Sequence, residues 1–111
     1  MGLYITQGNY TESAIKGMIQ NPEDRATAVA ALMEAVGAKM LQYYVTLGEY
    51  DFMVITEGDD TNEAMLAGLM VAGSSGGTCN LKTIRAFTSQ EAKSAMEKAG
   101  KVVAGFSPAG K

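Results

Sequence analysis

Apolar positions change period several times along the chain, and each change marks a predicted element. Leu3-Tyr4-Ile5-Thr6-Gln7-Gly8 mixes β-branched and aromatic residues and predicts a first strand. Ala14, Ile15, Met18 and Ile19 then recur at helical spacing behind Thr11, a side chain suited to an N-cap, so a short helix is predicted to about Gln20. Asn21-Pro22-Glu23-Asp24 reads as a helix restart. Asn21 would cap, Pro22 would take the first helical position where its missing N–H costs nothing, and two carboxylates would face the positive end of the dipole. Ala26, Val29, Ala30, Met33 and Val36 give the restarted helix one apolar face, and Gly37 supplies a left-handed stop.

The period then shortens to that of strands. Lys39 to Leu47 and Asp51 to Glu57 are both strand-like and are separated only by Gly48-Glu49-Tyr50, which predicts a β-hairpin. Asp60 is a predicted N-cap with Glu63 as its reciprocal partner. Ala64 to Gly73 follows without a charge, too short to cross a bilayer, and reads as a buried or two-sided helix that Ala67, Gly68 and Ala72 let approach a neighbour closely. A Gly/Ser loop at 73–77 leads to an alternating fourth strand, Leu81 to Phe87, and Thr88 with Glu91 makes a further capping box before a last helix that ends near Gly100. The expected organisation is one domain over residues 1–100 and a short tail over 101–111.

The order β-α-β-β-α-β, with the first helix broken at Pro22 and one helix appended, predicts a ferredoxin-like α+β sandwich: four antiparallel strands covered on one face by helices. A sheet covered on one side should alternate apolar and polar, yet Phe52, Met53, Val54 and Ile55 are apolar at four successive positions. Both faces of that strand therefore read as buried. The monomer's helices cover only one, so the second face is expected to meet another copy's sheet in an isologous homodimer, or a multiple of dimers.

Composition narrows the chemistry. In 111 residues, 47% are apolar and 19% charged, as in an ordinary folded domain. There is no histidine, which removes the commonest general base, the commonest zinc ligand and both Ser-His and Cys-His nucleophile pairs. The single cysteine, Cys79, has neither a base to activate it nor a second thiol to resolve it, and reads as a semi-buried inert side chain. Met33, Met65, Met70 and Met96 sit at helix positions, where core filling explains them better than soft-metal binding. No metal site and no cofactor are called for. The net charge of −3 and the two arginines give no basic footprint, so no nucleic-acid partner is expected. Met1 to Ile5 shows neither a basic n-region nor a long apolar stretch, so no membrane partner and a reducing cytoplasm are the expectation.

The hairpin carries the most specific motif. Tyr43-Tyr44-Val45-Thr46-Leu47-Gly48-Glu49-Tyr50-Asp51-Phe52, with Thr83-Ile84-Arg85-Ala86-Phe87 ahead of the last helix, resembles the GYD-domain family over roughly residues 3 to 98. The resemblance implies the dimeric α+β barrel superfamily, in which two ferredoxin-like sheets face each other. It carries no settled activity. A similar Gly-x-Tyr-Asp hairpin occurs in the effector-binding domain of Lrp/AsnC-type regulators, where small molecules bind between subunits, but no DNA-binding helix-turn-helix precedes it here.

Four side chains are candidate ligand contacts in a cavity between two such sheets: Tyr44, Tyr50, Asp51 and Arg85. Gly48 would supply a positive φ, and Tyr50 and Asp51 would either complete the turn or line the cavity mouth, with the phenol as hydrogen-bond or proton donor. Thr83, Arg85 and Phe87 share one strand face. If Ile84 and Ala86 meet the helices, Arg85 points into the dimer interface and needs a carboxylate such as Asp51 or Glu57, or an anionic ligand. By the same parity Gln42, Tyr44 and Thr46 lie opposite Tyr43, Val45 and Leu47. The expected function is a homodimeric small-molecule binding or sensing module. The alternatives are a cofactor-independent isomerase or monooxygenase of the dimeric-barrel type, disfavoured by the missing histidine, and a structural role without ligand.

Overall fold

The computed structural model describes all residues, 1–111. It contains β1 (Gly2–Tyr10), α1 (Glu12–Gln20), α2 (Arg25–Ala35), β2 (Lys39–Val45), β3 (Phe52–Gly58), α3 (Glu63–Ser74), β4 (Thr78–Ala86), α4 (Ser89–Gly100) and a 3-10 turn at Val103–Gly105. The strands form one sheet in the order β2-β3-β1-β4, each neighbouring pair antiparallel. This is the ferredoxin-like α+β arrangement. No helix is long and apolar enough to cross a membrane.

Burial along the two central strands shows which face the helices cover. Tyr4, Thr6 and Gly8 of β1 and Phe52, Val54 and Thr56 of β3 are buried, while Leu3, Ile5, Met53 and Ile55 between them are only partly so. Beneath the helices Tyr4, Met33 and Met65 pack together, with Val29, Leu32, Ala38 and Met40 around them. Thr56, the most deeply buried side chain, donates its hydroxyl to Met65 Sδ at 3.1 Å. Gly68 lets α3 settle on α2: a Cβ there would lie 2.7 Å from the Met33 methyl. The uncharged stretch is thus two-sided, with Ala64, Met65 and Gly68 inside and Leu66 and Met70 outside.

Several local signals act as read. Thr11 caps α1 by accepting from Ala14 N–H, Gly37 adopts φ +89, and Thr88 with Glu91 forms both arms of a capping box. Two caps move. The restarted helix begins at Arg25 and is capped by Asp24, whose carboxylate accepts from Ala26 N–H, whereas Asn21 closes α1 with its own N–H on Gly17. Ahead of α3 the N–H of Glu63 goes to Asp59 Oδ1 and Thr61 Oγ1, and Asp60 instead pairs with the terminal amine of Met1 at 2.9 Å. The fourth strand starts three residues earlier than predicted, at Thr78, because Asn9 and Tyr10 pair with Cys79 and Thr78 beyond a bulge in β4, where Asn80 takes φ 53. Cys79 is accordingly exposed, not semi-buried.

Candidate functional site

The Gly-Glu-Tyr-Asp turn is a clamp between the hairpin and the end of β1. Gly48 adopts φ +129, a conformation that L side chains rarely reach. Thr46 donates its hydroxyl to the Tyr50 carbonyl at 2.7 Å and its N–H to the Asp51 carbonyl at 2.8 Å, closing the turn on itself. Three successive residues of β1 then hold it. The Gly8 carbonyl accepts from Asp51 N–H at 2.8 Å, Asn9 Nδ2 donates to the Glu49 carbonyl at 3.1 Å, and Tyr10 N–H donates to Asp51 Oδ2 at 2.9 Å.

That clamp fixes Tyr10 at one end of an aromatic row. Because β3 lies between β2 and β1, Tyr43, Phe52 and Tyr10 stand side by side on the helix-covered face. The Tyr43 and Phe52 rings are 6.1 Å apart and nearly parallel, and those of Phe52 and Tyr10 are 5.1 Å apart. The two phenol hydroxyls hydrogen-bond to each other. Burial, and then that hydrogen bond, push the Tyr43 phenol well above its ordinary value.

Between this row and the helices lies a cavity of about 640 Å³. Phe52, Val54 and Leu81 of the sheet, Met18 of α1, Val29 and Leu32 of α2, and Leu69 and Ala72 of α3 give it apolar walls. Its charged groups, Glu23 and Arg25, lie where α1 breaks from α2 together with Asn21, Tyr10 and Tyr43, while Thr6, Ser75 and Thr78 add polar groups elsewhere in the lining. A smaller cleft of about 330 Å³ shares Tyr10, Met18, Glu23, Arg25 and Tyr43, so these five stand where the two spaces meet. The Arg25 guanidinium is held loosely by Glu23 at 3.4 Å and is free to turn toward an acceptor. The chain brings no three His, Cys, Asp or Glu side chains together as a metal would need.

None of the four residues singled out from the sequence lines this cavity. Tyr44 pairs with Met53 on the open sheet face and is 50% exposed. Tyr50 is half-buried in the turn, and Asp51 reaches the cavity only through Tyr10. Arg85 goes to the face opposite the one expected. Ile84 pairs with Ile5 and Ala86 with Leu3 on the open face, so Arg85, opposite Tyr4, lies on the helix-bearing side. There its guanidinium stacks 5.5 Å from the Tyr4 ring and 4.5 Å from the Phe87 ring, and donates to the carbonyls of Leu3 and Ala86 rather than to a carboxylate. Tyr10 and Tyr43 were the side chains to find; the available signal was the strand parity that sets Tyr43 back to back with Tyr44.

A four-stranded antiparallel sheet under one layer of helices, with an aromatic-ended cavity between them, places the molecule among ferredoxin-like α+β domains. The GYD domain family matches residues 4–96, and the chain belongs to that family. Two solved structures are similar to the chain at 15% identity. One, described as FFRP-DM1, covers 78% of this chain and 100% of its own with a TM-score of 0.49. The other, TTHA0845 from Thermus thermophilus, covers 79% of this chain and 95% of its own, also with a TM-score of 0.49. No curated protein matches the chain.

Proposed function

We propose that this GYD-domain protein is a small-molecule binding or sensing module, with the ligand held between helices and sheet and the Tyr10–Tyr43 pair as its polar anchor. The observation that carries this is the cavity itself: about 640 Å³, mainly apolar, with its only charged side chains, Glu23 and Arg25, on the same side as the two phenols. Sites for small organic molecules have that size and that division of labour. A compact, mostly apolar molecule bearing one acceptor or anionic group fits, its ring or chain against Phe52, Val54 and Leu81 and its polar end toward the phenols and Arg25. In the same reading two chains pair through their open sheet faces, where Ile5, Met53, Ile55 and Ile84 are left without a cover in one chain.

Native mass spectrometry of gently purified protein, followed by a thermal-shift panel of substituted phenols and aromatic carboxylates, tests the binding reading. A ligand present at a hundred times its Kd adds about 2.7 kcal/mol, or roughly 12 °C in a domain of this size. The shift is expected in the wild type and lost in Ala72→Phe, whose ring fills the cavity. A folded Ala72→Phe variant that responds as the wild type does rules the cavity out.

A further inference from the structure

Helix α4 is formed but unsupported. Ala92, Ala95, Met96 and Ala99 fall on one side of it and Gln90, Lys93, Ser94 and Glu97 on the other, the division of a helix laid against an apolar surface. Yet Met96 is 69% exposed, Val103 and Phe106 just beyond are exposed as well, and the main packing of the helix is on the 3-10 turn that follows. A twelve-residue helix is marginal in water without tertiary contacts, and the Thr88–Glu91 box secures only its first turn.

The whole molecule registers the same deficit. Its radius of gyration is 17.9 Å, against about 13 Å for a compact domain of this length. Its accessible surface is 7803 Å², against about 5,900 Å² for a folded chain of this mass. The excess, about 1,900 Å², lies in the range that each partner of an obligate homodimer contributes. Charge points to the same partner. The segment 89–111 carries four lysines against two glutamates, whereas residues 1–88 carry five cations against ten carboxylates. A basic arm and an acidic body on one chain are complementary between two copies.

We propose that the arm Ser89–Lys111 docks on a second copy of this chain through Met96, Val103 and Phe106, each chain's arm lying on the other's body. This rests on the two-chain reading above and goes beyond it, because the partner supplies a segment that neither chain buries alone. The arm leaves from the end of β4, an edge strand at the rim of the open face, so pairing of the sheets brings it to the other copy, and two-fold symmetry makes the exchange reciprocal.

The test places a photo-crosslinking phenylalanine analogue at position 96 of the full chain and reads the product on a denaturing gel. A covalent band of dimer size is expected; crosslinking confined to single chains overturns the arm exchange. In parallel, Met96→Glu combined with Phe106→Glu should raise the dimer dissociation constant about a hundredfold by analytical ultracentrifugation. If Ile55→Glu dissociates the dimer and that pair does not, the arm proposal fails while the sheet pairing stands. A wild type that is monomeric at every concentration overturns both.

Discussion

The Asp51 carboxylate is the element of the family motif whose contribution can be worked from geometry. It accepts the Tyr10 N–H at 2.9 Å in a half-buried position, and removing it leaves that N–H without a partner. Hydrogen bonds to charged groups contribute about 1.5–3 kcal/mol, and partial exposure puts this one near the lower half, about 2 kcal/mol. For a chain of this length the unfolding entropy is about 230 cal/mol/K, so Asp51→Ala should lower Tm by about 9 °C. Asp51→Asn keeps an acceptor oxygen and loses only the charge, and should cost about 1 kcal/mol, or roughly 4 °C. Circular dichroism at 222 nm during heating, repeated in urea, separates the two variants. An Asp51→Ala protein melting within about a degree of the wild type would refute the clamp. Equal losses in the two variants would show that side-chain shape, not the accepted hydrogen bond, holds the turn.

Two further outcomes follow from the same region. The Tyr43 phenol is raised in the folded state above the unfolded value near 10, so its contribution to stability is complete below pH 10 and is lost as pH rises beyond it; urea midpoints measured from pH 9 to 11 should fall more steeply for the wild type than for Tyr43→Phe, and parallel curves would contradict this. A Cβ at Gly8 would meet Leu81 and Phe52 side-chain atoms at 2.8 Å and the Cys79 carbonyl at 3.3 Å, so Gly8→Ala should cost about 1–3 kcal/mol in chemical denaturation, and an unchanged midpoint would show that the floor of the cavity is soft.

What could be read from the sequence was what neighbours in sequence decide. Thr11, Thr88 with Glu91, and Gly37 act within one turn of helix, and their spacing alone identifies them. The misplaced caps lie where several oxygens compete: Asp59, Asp60, Thr61 and Asn62 can each receive the first N–H groups of α3, and the exit of β3 decides for Asp59 and Thr61. Arg85 lies on the unexpected face for a related reason. Strand parity tells which residues share a face, but only the pairing of Tyr4 with Arg85 tells which face lies under helices. The candidate site was the least legible feature. Tyr10 and Tyr43 come from strands that do not touch, and they meet only because β3 puts Phe52 between them.

The position of β1 at the centre of the sheet also bears on how the chain folds. The β2–β3 hairpin closes over a short turn, but β1 must find partners far along the chain, Gly8 with Phe52 on one side and Leu3 with Ala86 on the other. The loop-closure entropy of both searches is spent before either ladder stabilises anything, so folding belongs with the slower mixed domains rather than with helical bundles that finish in microseconds. Until that strand arrives, the hairpin and β4 stand apart with their inner edges unpaired, and Tyr10 has no Tyr43 to meet. The cavity between helices and sheet is therefore complete only once β1 is in place, because Thr6 and Tyr10 of that strand line it.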